Sequence, residues 1–314
     1  MKYRKAIQRM LCLALLLALC GCAAAEQVRV AISCPYAPDG WPAAAAWSAE
    51  TVAEELGMNY MLKMAASAEE QADDLELMVE QGYPYILLYP VSDGVEAAAR
   101  RAMKAGATLL CFGSNPGGVE PDSSLVFDDA QLGALGADFL GGKLGGKGRV
   151  ALVARASDAA GDRRAAACRD ALKGNYPGIE IAGTYAADGE AEIGRILAEN
   201  PQLDGVYCCD EALSGGMLRA LYAQGRLDEG GVKALICCGA SRAYFDLMDE
   251  YGDRIALAAV TASPCMLGEL LRSCDGLIRG EALQKRAVLP VETVECEDAA
   301  GWMLRNGIAE NDPF

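Results

Sequence analysis

The chain contains no histidine. That one absence removes Ser-His-Asp and Cys-His nucleophilic catalysis, imidazole metal ligation and the usual pH switch. Carboxylates and thiols remain. Asp210-Glu211 follows an apolar run and so stands at a strand end. Glycoside-type acid–base chemistry needs two carboxylates flanking one bond, and neighbours at a strand end diverge instead. Cys34, Cys111, Cys209 and Cys238 fall at or near carboxyl ends of strands, where four thiolates would suit zinc or another soft metal. They stand singly or in Cys-Cys pairs, without Cys-x-x-Cys spacing, and no metal is expected. The run Gly141-Gly142-Lys143-Leu144-Gly145-Gly146-Lys147-Gly148 is glycine-rich enough to suggest a phosphate loop. A phosphate loop needs Ser or Thr after its Lys and leads from strand into helix. Here Gly148 follows Lys147, and the run leaves a helix and enters a strand, which makes it a helix stop and turn. No catalytic residue and no cofactor are expected.

The elements that would position these groups alternate regularly. Apolar runs at 28–33, 59–64, 85–89 and 108–112 read as strands, with helices at 43–56, 69–81 and 94–105 between them. The pattern then restarts. Helices at 132–144, 162–176, 190–199 and 214–224 alternate with strands at 149–153, 179–185, 205–209 and 233–238. Segments 255–260, 264–278 and 288–294 complete the chain. Continuous apolar strands between helices indicate parallel sheets covered on both faces. Two such sets imply an α/β protein of two doubly wound lobes, with ligands bound where strand carboxyl ends face one another.

Composition narrows the possibilities. With 52% hydrophobic and 23% charged residues the chain is globular rather than disordered. Its formal charge of −16 argues against nucleic acid and against anionic lipid headgroups as partners. Of 13 cysteines, Cys12, Cys20 and Cys22 lie in the leader. Most others sit inside apolar runs such as Leu109-Leu110-Cys111-Phe112, where Cys acts as a small buried hydrophobe. Free thiols are favoured there, with a set of disulfides as the alternative.

The leader itself carries four cations (Lys2, Arg4, Lys5, Arg9), then an apolar run at 11–19 and small residues, the order of a secretory signal. Residues 10–25 carry no charge and are fewer than the roughly 20 a membrane-spanning helix needs. Leu19-Cys20-Gly21-Cys22 resembles the lipobox of bacterial lipoproteins, which implies cleavage before a diacylated Cys22. The alternative is an ordinary signal cut after Ala23 or Ala25.

Three segments together resemble a known family. Gly82-Tyr83-Pro84-Tyr85-Ile86-Leu87-Leu88-Tyr89-Pro90-Val91-Ser92-Asp93 is similar to a strand ending in a Pro-Val/Thr-Asp turn. Leu144-Gly145-Gly146-Lys147-Gly148-Arg149-Val150 is similar to an entry into a second domain. Leu203-Asp204-Gly205-Val206-Tyr207, followed by Asp210-Glu211 and 214–221, is similar to an Asn-Asp strand and helix. In that order and spacing, over nearly the whole mature chain, they resemble the type I (sugar-type, ribose-binding-like) solute-binding proteins of ABC importers. The cytoplasmic repressors of the same fold carry a DNA-binding headpiece where this chain has its leader.

The resemblance implies two lobes joined by three hinge strands, near Phe127-Asp128, 261–263 and Leu289-Pro290, closing on a small polar ligand. The parts would be a signal peptide 1–21, a lipidated Cys22 with spacer 22–27, an N-terminal lobe of 28–127 plus 262–289, and a C-terminal lobe of 128–261 plus 290–314. Tyr36 and Trp41 would stack on ligand, and Tyr89 replaces a family Asn. Arg164 aligns with the family's ligand-binding Arg. Asp210 replaces an Asn, and Glu211 the Asp beside it. Gly113, Gly239 and Ala262 stand where the family keeps Asp, Asp and Gln, with Ser114, Asn115 and Ser241 close enough to substitute. The structural alternatives are loop cover for Tyr36 and Trp41, and an Arg164 ion pair with Asp162 or Asp210. Acidic residues Glu69, Glu70, Asp73 and Asp74 are expected on a solvated helix face.

Loss of those three side chains implies a roomier, more aromatic cleft for a sugar, sugar derivative or nucleoside-like ligand. The implied receptor is a monomer, lipid-anchored at the extracytoplasmic face of a bacterial cytoplasmic membrane, with importer membrane subunits as partner. Its rivals are a sensor of the same fold docking a sensor kinase or chemoreceptor, and an envelope enzyme using Asp210 and Glu211.

Overall fold

The leucine-, valine- and alanine-rich runs pair into two six-stranded sheets in this computed structural model, which describes residues 28–309 except Asp39, Ser157 and Ala240, together with Asp312. The leader, Cys22 and the spacer up to Gln27 lie outside the described residues. The first sheet holds β1 (Arg29–Pro35), β2 (Asn59–Ala65), β3 (Tyr85–Leu88), β4 (Thr108–Gly113), β5 (Ser123–Val126) and β11 (Arg286–Val288). Their order is β11-β5-β4-β3-β1-β2, parallel throughout. The second holds β6 (Lys147–Ala154), β7 (Gly178–Ala186), β8 (Gly205–Cys208), β9 (Ala234–Cys238), β10 (Ala256–Thr261) and β12 (Glu292–Glu295). Its order is β12-β10-β9-β8-β6-β7, with only β12 antiparallel.

Both sheets share one doubly wound plan: the second strand flanks the first on one side and the third on the other. The winding direction therefore reverses between β1 and β3, and again between β6 and β8, which is where such sheets bind ligands. Both faces are buried, as a parallel sheet requires. Leu109 and Cys111 of β4 face one apolar cluster, and Leu110 and Phe112 face another.

The helices are α1 (Gly40–Glu55), α2 (Ala68–Glu80), α3 (Glu96–Lys104), α4 (Asp129–Lys143), α5 (Ala159–Asn175), α6 (Glu190–Glu199), α7 (Glu211–Ala223), α8 (Arg242–Tyr251), α9 (Met266–Ile278) and α10 (Ala299–Arg305). The chain leaves the first sheet between β5 and α4, which packs on β9 and β10. It returns between β10 and α9, which packs on α1, and crosses again between β11 and β12.

The two-lobed α/β fold is the one expected. The glycine run is a turn: α4 ends at Lys143, Gly145 and Gly146 take positive φ, and β6 begins at Lys147. Some features differ. The sequence pattern does not announce β5, α8 or α10, and the segment 288–294 is shared between two strands in different sheets, broken around Pro290, which has no N–H to donate. Asp74 is not on a solvated face. It is 9% exposed and paired with Lys63 at 3.3 Å. Glu70, by contrast, helps start α2: Ser67 Oγ, the N-cap, accepts from its N–H, and its carboxylate accepts from Ala66 N–H.

Candidate functional site

A cavity of about 180 Å³ lies where the carboxyl ends of the two sheets face each other. The first sheet's side supplies Trp41 and Pro42 from the first turn of α1 and Tyr89 from just after β3. Phe127 marks the first crossing. The second sheet's side supplies Arg164 from α5, Cys209, Asp210 and Glu211 from the β8–α7 junction, and Cys238, Gly239 and Thr261 from the ends of β9 and β10.

The aromatic wall is a self-supporting cluster. Trp41 stacks on Phe112 with ring centres 5.8 Å apart and planes 11° apart, and Phe127 lies 5.4 Å away. Tyr89 meets Phe112 edge-on at 5.4 Å. The Trp41 indole N–H donates to the Ala262 carbonyl at 2.7 Å, tying α1 to the second crossing. Tyr89 is held from behind by Gln71, a fully buried residue of α2. Its amide donates to Tyr89 O at 2.9 Å and Ser33 Oγ at 3.0 Å, and accepts from Val91 N–H at 2.7 Å. Burial raises the Tyr89 phenol above its ordinary value, against the opposing pull of Arg164.

Arg164 reaches the cavity because α4 and α5 approach closely. A Cβ on Gly133 would stand 2.4 Å from the Arg164 carbonyl oxygen, so only glycine permits the contact. This brings Asp129 within 2.8 Å of Arg164 Nε, and the two side chains are only 15% and 18% exposed. Arg164 also donates to Cys209 O at 3.4 Å. Burial alone would lower the guanidinium pKa, but Cys238 and Asp129 raise it above the ordinary arginine value. The ion pair expected with Asp162 or Asp210 is made instead with Asp129, which the exposed Arg163 shares at 2.8 Å.

Asp210 is held through one carboxylate oxygen, Oδ1. It caps α7 by accepting from Leu213 N–H at 3.1 Å and pairs with Arg155 at 2.9 Å. Glu211 reaches into the space between lobes: a Cβ on Gly239 would lie 3.4 Å from one carboxylate oxygen, and a Cβ on Gly40 3.3 Å from the other.

Of the candidate residues, the structure gathers Trp41, Tyr89, Arg164 and Asp210 around one cavity. It does not gather the others. Tyr36 is 57% exposed and extends β1 by donating its N–H to Ala65 O. Ser114 is exposed, and Asn115 beside it does not line the cavity. Ser241 caps α8 through Tyr244 N–H at 3.2 Å and stands behind Gly40, not in the cavity. Nor is the cleft roomier for its lost side chains. The Tyr89 ring comes within 3.0 Å of where a Gly113 Cβ would be, and Glu211 occupies the space beside Gly239. Gln71 is the site builder that sequence reasoning missed, and Glu211, noted there as the replacement of a family Asp, is the one whose reach between the lobes it did not show.

The thiols do not converge. Cys209 and Cys238 line the cavity, and Cys238 Sγ lies 3.0 Å from Tyr207 OH. Cys34 and Cys111 are buried on opposite faces of the first sheet, their pKa values pushed up to about 12 by burial. Among the described residues no cluster of three metal-ligating side chains occurs, and all ten cysteines there are free thiols. A larger hollow of about 700 Å³ opens at the amino ends of β9 and β10. It lies away from both switch points, and its bases are paired, Lys143 with Glu295 and Arg254 with Asp228.

Two parallel-sheet lobes with a cavity between their switch points define a hinged binding protein. A family model described as a periplasmic binding protein domain matches residues 30–269, and the chain belongs to that family. A xylitol-binding protein of Mycolicibacterium smegmatis is 25% identical over 163 residues, covering 50% of this chain and 47% of that protein. The chain thus spans about half the length of that curated relative. An ABC-transporter solute-binding protein from Actinobacillus succinogenes 130z, solved with D-allose, has the same fold: TM-score 0.77 and 17% identity, over 87% of this chain and 99% of that one. The arabinose-transporter binding component of Shewanella sp. ANA-3, solved with L-arabinofuranose, gives 0.76 and 19%, over 88% and 95%.

Proposed function

We propose that this protein is an extracytoplasmic solute receptor that closes two lobes over one monosaccharide-sized polyhydroxylated ligand and presents it to the membrane subunits of an ABC importer. The cavity carries the reading. It sits between facing switch points, with stacked rings on one wall and Arg164, Asp210 and Glu211 on the other. Rings cover the apolar faces of a sugar, and ionised groups make the stronger hydrogen bonds to its hydroxyls. Relatives named or solved with xylitol, D-allose and L-arabinofuranose support the ligand class. The volume, near 180 Å³, falls below the roughly 300–1,000 Å³ of sites for drug-sized molecules. It therefore favours a single sugar over the nucleoside-like ligands admitted from sequence.

In this reading residues 28–127 with 262–289 and 128–261 with 290–314 move as the two lobes about the three crossings. Cys22 carries the acyl chains that hold the receptor at the outer face of the cytoplasmic membrane. The protein binds without turnover.

A thermal-shift screen of aldopentoses, aldohexoses and pentitols tests the ligand class. A ligand at 100 times its dissociation constant stabilises the native state by about 2.7 kcal/mol. Failure of every monosaccharide and polyol, with a hit among nucleosides or amino acids, would overturn it. Cys22→Ala tests the anchor: the variant is expected to leave the membrane fraction or remain unprocessed, and a correctly cleaved variant that stays in the membrane would refute lipidation.

A further inference from the structure

Neighbouring strands β8 and β9 both run out in a Cys-Cys sequence, Cys208-Cys209 and Cys237-Cys238. Their parallel register sets Cys208 opposite Cys237. Cys209, whose N–H carries the ladder on to Val153 O at 2.8 Å, comes next, opposite Cys238. Side chains alternate between the faces of a sheet whose strands lie about 4.8 Å apart. Cys208 and Cys237 accordingly pack in one apolar cluster, Cys209 and Cys238 in another. Each face therefore carries a pair of facing thiols.

The pairs differ in access and in company. Cys208 and Cys237 are fully buried, whereas Cys209 and Cys238 line the interlobe cavity. Tyr207 OH lies 3.0 Å from Cys238 Sγ, and Arg164 donates to the Cys209 carbonyl at 3.4 Å. Burial raises the pKa of both cavity thiols. At Cys209 a charge on Cys238 is the next cause, which marks how near the two stand, and at both Arg164 pulls the other way.

These surroundings choose among metals. Zinc wants four ligands, and among the described residues no third ligating side chain joins the pair. Thiolates favour soft ions such as Cu(I), and a monovalent d10 ion is satisfied by two sulfurs in a line. Burial opposes a bare thiolate, but a bound ion takes the proton's place. Two thiolates on a monovalent ion leave one negative charge. Asp129 is shared by Arg163 and Arg164, so the cluster beside the pair has one positive charge to balance it. Asp210 is matched by Arg155, and Glu211 is turned toward Gly40.

We propose that Cys209 and Cys238 bind one soft monovalent d10 ion, with the chemistry of Cu(I), between two thiolates on the second lobe's wall of the cavity. Each S–H bond gives way to an S–metal bond, two protons leave, and the metal keeps its oxidation state. The absence of Cys-x-x-Cys spacing bears on a four-thiolate site and not on this one. The site needs no sugar and so goes beyond the receptor reading.

The test titrates the mature full chain, under argon, with Cu(I) held as its bicinchoninate complex, and follows loss of the complex's colour. One tightly held ion per chain is expected. Cys209→Ala and Cys238→Ala are each expected to weaken uptake by about 100-fold or more, beyond the usual cost of losing an outer-shell partner. Cys208→Ala and Cys237→Ala, on the closed face, are expected to keep it. Uptake unmoved in folded Cys209→Ala or Cys238→Ala, or lost equally in folded Cys208→Ala, would overturn the site. X-ray absorption of the copper-loaded wild-type chain needs no variant to fold. It is expected to show two sulfur neighbours and no nitrogen or oxygen. Any other coordination, or failure of the wild-type chain to take copper from the chelator, would also overturn the proposal, and neither outcome touches the sugar reading.

Discussion

Replacing Arg164 by alanine separates what the guanidinium does for the fold from what it does for a ligand. From sequence alone Arg164 is a ligand contact, and its removal would leave the empty protein nearly as stable as before. The structure changes that expectation. Arg164 Nε lies 2.8 Å from Asp129 in a pair whose members are 18% and 15% exposed. Removing one partner of a buried pair costs about 3–5 kcal/mol, because the other charge is left behind. Asp129 keeps Arg163 at 2.8 Å, an exposed residue that moderates the loss, so the lower end, about 3 kcal/mol, applies. In a chain of this size that is a fall in Tm of about 6–12 °C. Urea denaturation of the ligand-free protein followed by circular dichroism measures it directly. Asp129→Asn and the double variant complete a cycle in which the coupling is expected near 2 kcal/mol. A loss below about 1 kcal/mol, the value of an exposed pair, with no coupling, would show that the Arg164–Asp129 contact does not hold the α4–α5 packing together.

Gly40 has φ +78°, and a Cβ there would meet Glu211 at 3.3 Å; Gly40→Ala is expected to cost about 1–3 kcal/mol and to open the lobes, read as a larger radius of gyration in small-angle scattering. An unchanged radius and stability would contradict this placement of α1. Gln71→Leu leaves Val91 N–H and the Tyr89 carbonyl without their partner and is expected to destabilise by about 1–3 kcal/mol for each group stranded; a change within 0.5 kcal/mol in urea would count against the buried bracket. Cys34, Cys111 and Cys274 have pKa values raised from 9.0 to about 12 by burial. Above pH 9 the unfolded chain releases these protons while the native chain retains them, so stability is intact below pH 9 and falls as pH rises toward 12, by up to about 1.4 kcal/mol per pH unit for each thiol. Stability that stays flat from pH 8 to 10.5 in urea titrations would refute that burial.

The parts of the fold legible in sequence are those written in contiguous residues. Strands such as Leu109-Leu110-Cys111-Phe112 announce themselves because both faces are buried, and their alternation with helices forces parallel sheets. β5 escapes notice because Ser123 and Ser124 make it polar, and its burial depends on distant chain: Ser123 Oγ donates to Gln284 O at 2.7 Å. That Trp41, Tyr89, Arg164 and Asp210 would share one cavity could be anticipated because they fall in an order along the chain that resembles the family's. The reach of Glu211 and the part played by Gln71 could not. One acts through the space that Gly40 and Gly239 leave open, the other through bonds to residues 18 to 38 positions away. The length of an acidic side chain and the absence of a Cβ opposite it are separate facts along a chain, and only folding makes them one. Tyr36 lies outside the cavity lining for the converse reason. Its type suits stacking, but its backbone continues β1 beside the edge strand β2, and the ring points to solvent.

The order in which the chain visits its sheets also governs how the molecule is built. Synthesis delivers β1 to β5 first, but β11, which pairs with the outer edge of β5, arrives only after five of the six strands of the second sheet. α9, which covers α1, comes equally late. Until then the half-made first lobe has an open parallel edge and an uncovered apolar helix face, the features that invite aggregation. Neither lobe is an independent unit of manufacture. A nascent chain has to be kept from associating with others until residues 266–295 have emerged, and a single proteolytic cut in that stretch would strip an element from each lobe at once.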